Sequence, residues 1–314
     1  MLDPRELYDV DTEAAARVDD ATRRGVGPVL VHALQGFVDA GYAGQVAVDH
    51  LVGSGSGQRL VTFHVDQLVD YRSRRPAMTF DSGWTHYAAP ELVVDLLEDA
   101  QGVPYLLLHG AEPDLQWERW VAAVRQVVER FEVPLVVGLH GIPMGVPHTR
   151  PVSVTAHATR AELVADHTSF FGTVQVPASA SALLELRLGE AGHDAMGFAV
   201  HVPHYLAQSS YPTAGLTGLR HVERATGLDL GLTALEPAAA EALREVERQV
   251  EASSEVAAVV QALEEQYDAF TRSVGRTSLL AQATDLPTAE EIGAELERFL
   301  AEQTDQSDGG QPPA

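Results

Sequence analysis

The sequence predicts a three-layer α/β/α sandwich followed by a helical appendage. Two observations predict it. From about residue 28 to residue 226, short apolar runs of strand character alternate with helix-patterned segments, as expected of a sheet covered by helices on both faces. From Glu236 onward the pattern is helical only. The chain has 314 residues and is 45% hydrophobic, enough for one large α/β core.

The elements follow in order. Residues 28–35, PVLVHALQ, read as the first core strand. Gly36 to Gly41 then turns into a helix running to about Leu51, with Asp39 placed to cap it. A strand, turn and helix in this order is the arrangement of an anion site. The turn carries only Gly36 and Gly41, however, and lacks the G-x-G-x-x-G spacing of a dinucleotide loop. Gly53 to Gly57, GSGSG, is a flexible connection. Residues 58–65 form a second strand. Arg72, Arg74 and Arg75 before Pro76 make the one dense basic patch, fit to hold an acidic group or to balance nearby carboxylates. Met78–Phe80, Leu92–Leu97 and residues 103–109 read as further strands. Gln116–Arg130 is a helix with an apolar stripe of Trp117, Trp120, Val121, Val124, Val127 and Val128.

Leu135-Val136-Val137 belongs to a buried strand of a mainly parallel sheet. The chain then turns through Gly141, Pro143, Gly145 and Pro147 to His148-Thr149-Arg150. Val152–Ala156 is a strand, Arg160–Asp166 a short helix and Ser179–Gly192 a longer one. Ala195–Val202 is the last strand, and Tyr211-Pro212 opens a helix to about Thr226. Beyond Glu236, Ala252-Ser253-Ser254 separates two helices and Thr288–Gln303 forms a third. The expected organisation is a core domain over 1–235, a helical appendage over 236–303 and a disordered acidic tail over 304–314.

Composition narrows the function classes. A formal charge of −24 excludes the basic stripe that nucleic acid requires and disfavours an anionic membrane surface. The chain has no Cys, hence no disulfide, zinc–thiolate site or thiol nucleophile. All 21 basic residues are Arg, so there is no Schiff-base or phosphate-loop lysine. No apolar run is long enough to span a membrane, and the acidic start, MLDPRELYDVD, lacks an apolar signal segment; a cytoplasmic protein is expected. Neither H-E-x-x-H nor G-x-S-x-G occurs, and His201 and His204, three apart on a strand, point to opposite faces. No structural metal and no cofactor are expected.

Four strand ends carry polar groups: Gly36 with Asp39; His109 with Glu112 and Asp114; His148 with Thr149 and Arg150; and His204 with Tyr205. In a parallel sheet several of these face one crevice, where a His, a carboxylate and an Arg bind an anion and move a proton. The alternative is internal: Arg150 pairs with Glu112 or Asp114, and the histidines bond to backbone.

These blocks carry a resemblance. Gly36-Phe37-Val38-Asp39-Ala40-Gly41, Leu108-His109-Gly110-Ala111-Glu112-Pro113-Asp114, Val146-Pro147-His148-Thr149-Arg150-Pro151 and Val202-Pro203-His204-Tyr205, in that order, resemble the proteasome assembly chaperone 2 family in its actinobacterial form. The similarity covers roughly residues 25–270. It implies a core like that of nucleoside phosphorylases, a helical appendage and self-association. Eukaryotic and archaeal relatives help assemble the proteasome core particle. Relatives that dock on its α-rings end in a hydrophobic residue, a tyrosine and one more residue. This chain ends Gln311-Pro312-Pro313-Ala314, so insertion of such a tail is not expected. The resemblance also touches ATP-grasp-like ligases, which hold phosphates with lysines that this chain lacks. The expected function is a non-enzymatic binding or assembly protein, a homo-oligomer (a trimer before a dimer), with proteasome subunits as candidate partners. The alternative is an enzyme or sensor binding a small anionic ligand at the strand ends.

Overall fold

The computed structural model describes residues 2–25, 27–36, 38–54, 57–167 and 172–274. In chain order the elements are β1 (Tyr8–Val10), α1 (Thr12–Arg23), β2 (Leu30–Gln35), α2 (Ala43–Ser54), β3 (Gln58–Phe63), β4 (Met78–Phe80) and β5 (Trp84–Tyr87). They continue with β6 (Leu92–Glu98), β7 (Pro104–Ala111), α3 (Trp117–Arg130), β8 (Val136–Met144), β9 (Val154–Ala158), α4 (Ala180–Glu190), β10 (Ala195–Pro203), α5 (Pro212–Thr226), α6 (Glu236–Glu251) and α7 (Ser254–Val274).

Eight strands form one sheet in the order β1-β3-β6-β7-β2-β8-β10-β9. The four central strands, β7, β2, β8 and β10, run parallel. Their sequences explain it: β10 is buried along its whole length, and such continuous apolar runs belong where helices cover both faces. The flanks are antiparallel, with β6, β3 and β1 on one side and β9 on the other.

Alternation along each strand divides the interior into two layers. On one face Leu30, Leu106 and Leu108 pack with Ala14 and Val18 of α1, Trp120 and Val124 of α3 and Leu184 of α4. On the other face Val31, Leu107 and Val137 pack with Ala47 and Leu51 of α2 and Leu219 and Val222 of α5. This is the three-layer sandwich that the alternating pattern predicts.

Three details depart from the sequence reading. The chain opens with β1 and α1, which the pattern did not signal. Asp11 caps α1 by accepting the Ala14 N–H at 2.8 Å, and the buried stripe is Ala14, Ala15, Val18 and Ala21. Alanines bury well on a helix yet register weakly as a hydrophobic face. The helix expected near Arg160–Asp166 is only a 3-10 turn, Ala161–Val164, because Arg160 stays extended while its guanidinium grips Asp194 with two bonds of 2.5 Å. The strand at Met78–Phe80 exists, but it pairs with β5 in a separate two-stranded sheet.

After α5, the helix α6 lies beside it, joined at its start by the Arg220–Glu236 ion pair (2.9 Å), and turns Ala239 and Val246 toward the core. The break expected at Ala252–Ser254 separates α6 from α7. One compact unit extends to Glu265, and the chain from Gln266 forms a second. The expected third helix, Thr288–Gln303, and the tail over 304–314 lie outside the described residues. Among the described residues, no helix is long and apolar enough to cross a membrane.

Several histidines lie in the sheet or on the helices that cover it. His32 on β2 stands against Gly138 of β8, where any Cβ would lie 2.7 Å from the imidazole. Burial lowers His32, His140, His201 and His221 to about 4. Each is therefore neutral in the fold and gains its proton near 6.5 only on unfolding. Stability from these groups is complete above about pH 7 and is lost as pH falls from 6.5 toward 4, each group contributing up to about 1.4 kcal/mol per pH unit. Urea titrations should show a flat unfolding free energy from pH 8 to 7 and a steep decline below 6.5; equal values at pH 7.5 and 5 would refute neutral burial.

Candidate functional site

An open cleft of about 770 Å³ lies at the C-terminal ends of the parallel strands. Gln35 and Gly36 after β2, Ala111 of β7, Pro143 of β8 and Ala207 beyond β10 all line it. Its position has a topological cause. The chain leaves β2 for α2 on one face of the sheet and leaves β7 for α3 on the opposite face. Neighbouring strands whose connections part in this way open a crevice between their ends.

Asp39 forms the inner wall. Its carboxylate accepts N–H bonds from Gly44 (2.8 Å) and Gln45 (3.1 Å) at the start of α2, and from Gly141 of β8 (3.0 Å). Burial pushes the Asp39 carboxyl up, against the pull of these donors. The anion-binding end of α2 is thus filled by the chain's own carboxylate.

Of the ten expected site residues, Gly36 and Asp39 line the cleft and the other eight do not. His109 Nε2 donates to Asp95 (2.8 Å), and Asp95 accepts from Arg59 (2.7 Å), a side-chain row across β7, β6 and β3. Burial alone would raise Asp95, but the bonds from His109 and Arg59 outweigh it and hold the carboxyl below its usual value. Glu112 is buried and accepts the first N–H of α4, that of Ala180, at 2.6 Å, so the helix N-terminus compensates its charge. Gly36 makes room for it: a Cβ there would stand 2.0 Å from a Glu112 carboxylate oxygen. Asp114 accepts from the Asp70 N–H (2.7 Å) and from Arg74 (2.6 Å).

The remaining residues form a second cluster beyond β8. The Tyr205 hydroxyl accepts the His148 N–H at 2.9 Å and lies 2.7 Å from His148 Nδ1. Burial lowers the buried His148 imidazole, offset in part by Glu247 and Glu264. A neutral ring accepts the hydroxyl proton at Nδ1, so one hydroxyl closes both bonds. Thr149 donates to Glu264 on α7, and Arg150 reaches the same carboxylate at 3.1 Å. His204 is exposed and meets the Tyr205 ring edge-on at 5.5 Å.

The expected pairing of Arg150 with Glu112 or Asp114 does not form. Gly145 and Pro147 carry Arg150 toward α7, while Glu112 turns to α4 and Asp114 to the arginine loop. Arg74 is the anchor of that loop: besides Asp114, it donates to the carbonyls of Gln35 (3.1 Å) and Glu112. Sequence reasoning missed Tyr42, Gln45 and Pro143 as cleft residues, since none belongs to a polar strand end. Arg74 and Arg75 were visible as a basic patch but not as part of the crevice. Among the described residues no three His or acidic side chains converge as metal ligands.

Comparisons place this geometry among known proteins. A sequence model described as the PAC2 family matches residues 33–250. A Mycobacterium tuberculosis protein of unknown function, Rv2714, is 46% identical, with a TM-score of 0.81 over 87% of this chain and 92% of that one. A Corynebacterium glutamicum protein of unknown function is 37% identical, with a TM-score of 0.78 over 85% and 99%. A second M. tuberculosis protein, Rv2125, titled a proteasome-assembly chaperone homologue, is 26% identical, with a TM-score of 0.68 over 74% and 99%. Among curated proteins nothing matches.

Two substitutions test the second cluster. Arg150 and Glu264 keep 30% and 28% of their side chains exposed, so Arg150→Ala should lower the unfolding free energy by about 1 kcal/mol rather than by the larger cost of a buried pair. Tyr205→Phe strands both the His148 N–H and Nδ1 and should cost about 1–3 kcal/mol. Denaturant titration checks both; a neutral Tyr205→Phe would mean that the His148 turn is held by something else.

Proposed function

This chain belongs to the PAC2 family, and we propose that it acts as a non-enzymatic binding or assembly protein with proteasome subunits as its partner. The partner rests on the Rv2125 relative, whose title names a proteasome-assembly chaperone homologue. One observation of this chain carries the rest of the reading. The β4–β5 hairpin exposes Met78 (51%), Phe80 (64%), Trp84 (69%) and Tyr87 (46%) together, with Phe80 and Trp84 in edge contact at 5.2 Å. Grouped aromatic side chains left in water mark an interaction surface. The strand-end groups support the same reading, because His109, Glu112, Asp114 and His148 are engaged in internal bonds and not aimed at a common point. Self-association, as a trimer before a dimer, belongs to this proposal.

Crosslinking and affinity purification of the tagged chain from its host, scored for proteasome subunits, is the test. Proteasome subunits should be captured by the native chain and lost with Phe80→Ser/Trp84→Ser. Capture of none, with the chain folded and expressed, would defeat the partner assignment. Light scattering after gel filtration at micromolar concentration tests the oligomer separately, and a monomer would remove it from the proposal.

A further inference from the structure

We propose that the strand-end cleft binds a carboxylate through Arg75. The site lies at the switch point between β2 and β7, where an α/β sheet opens to a ligand. Two arginines line it, Arg74 and Arg75. Arg74 is consumed by Asp114 and by the carbonyls of Gln35 and Glu112. Those three anchors fix the loop, and Pro76 stiffens the next step of backbone. Arg75 is thereby held at the cleft, exposed, and forms no hydrogen bond or ion pair with the described residues. In a chain of net charge −24, a cation that leaves every neighbouring carboxylate alone is placed for an anion from outside.

The rest of the lining defines the kind of anion. A phosphate would need several donors, and the helix that points its N-terminus here has given its Gly44 and Gln45 N–H groups to Asp39. Asp39 also brings its own negative charge to the wall, which disfavours a dianion. One free guanidinium in a cleft that also holds the half-buried Asp39 carboxylate matches a singly charged carboxylate, gripped by the planar fork of Arg75. Beside it, Gln208 presents an amide, while Val38, Val69 and Pro90 present apolar surface. Tyr42 completes the wall: it is 46% exposed and held at φ 52, a left-handed conformation that a non-glycine side chain rarely adopts. This surface fits an uncharged body bearing methyl or amide groups. A free organic acid has that chemistry, and so does the C-terminal carboxylate of a peptide.

The experiment uses the full chain and saturation-transfer NMR, with affinities from calorimetry. The probes are straight-chain monocarboxylates from acetate to hexanoate, the peptide acetyl-Ala-Pro-Ala with a free or amidated C-terminus, and inorganic phosphate. At least one carboxylate should bind saturably. The loss of one charge-assisted contact in Arg75→Gln should weaken it by about tenfold or more, and Arg72→Gln, outside the cleft, should not. The amidated peptide and phosphate should not bind. Binding of the simple acids identifies a small-molecule source, and binding of the free-terminus peptide alone identifies a chain end; either supports the proposal. No carboxylate binding, binding equally tight in Arg75→Gln, or phosphate binding as well as carboxylate would each overturn it.

Discussion

The carboxylate of Asp39 is the tie on which the ligand edge of the sheet depends. It joins the start of α2 to β8 through one charge and three N–H donors. For it to reach Gly141, the turn from Asp39 to Tyr42 must lie flat on β8. A Cβ at position 141 would stand 2.0 Å from the Ala40 carbonyl oxygen, so only glycine permits that approach. Gly41 takes φ 66 in the same turn, with Val202 and Tyr211 packed behind it. One side chain therefore ties the turn after β2 and the start of α2 to β8. The charge has a second effect: it occupies the helix terminus that would otherwise hold a phosphate.

Much of this was legible in the chain, and the part that was not has a common cause. The strands and helices of the core follow from apolar periodicity, which is a property of one segment at a time. β10 and α3 were readable because each buries large side chains at its own spacing. α1 was not, because its buried face is mostly alanine. At the site, sequence named polar groups at four strand ends, and of these Gly36 and Asp39 line the cleft. It could not show which side chains were already spoken for. Glu112 looks like a free acid in the sequence, yet its partner is the backbone of a helix 68 residues away. Arg150 likewise finds Glu264, 114 residues on, in a helix that reads as an appendage. Such pairings belong to tertiary distance, and no local pattern encodes them.

Electrostatics distinguishes the hairpin from the rest of the surface. A chain of net charge −24 repels other acidic proteins over most of its area. Between Pro76 and Pro90 the only ionisable side chains besides Tyr87 are Asp81 and His86, and Arg72 and Arg75 stand just before it. A partner approaching there meets apolar area with the least opposing charge. An isolated two-stranded hairpin is also marginal in water, since it has one ladder and no covered face. The exposure of four large side chains on it is therefore costly unless something else covers them.

The hairpin and the cleft share a base. Arg75 and Pro76 lead into β4, Ala88 and Pro90 follow β5, and all four line the cleft. The Ala88 N–H bonds to the Ala77 carbonyl at 2.9 Å, closing the hairpin at the cleft wall. A carboxylate held by Arg75 would pin one leg of this hairpin at its root. Pinning removes conformational freedom that a docking partner would otherwise have to remove itself, so the partner would bind more tightly to the loaded chain. Linkage then runs both ways: a partner that orders the hairpin must tighten the carboxylate by the same factor. The two surfaces are thermodynamically one device to the extent that the residues between Arg75 and Pro90 move together.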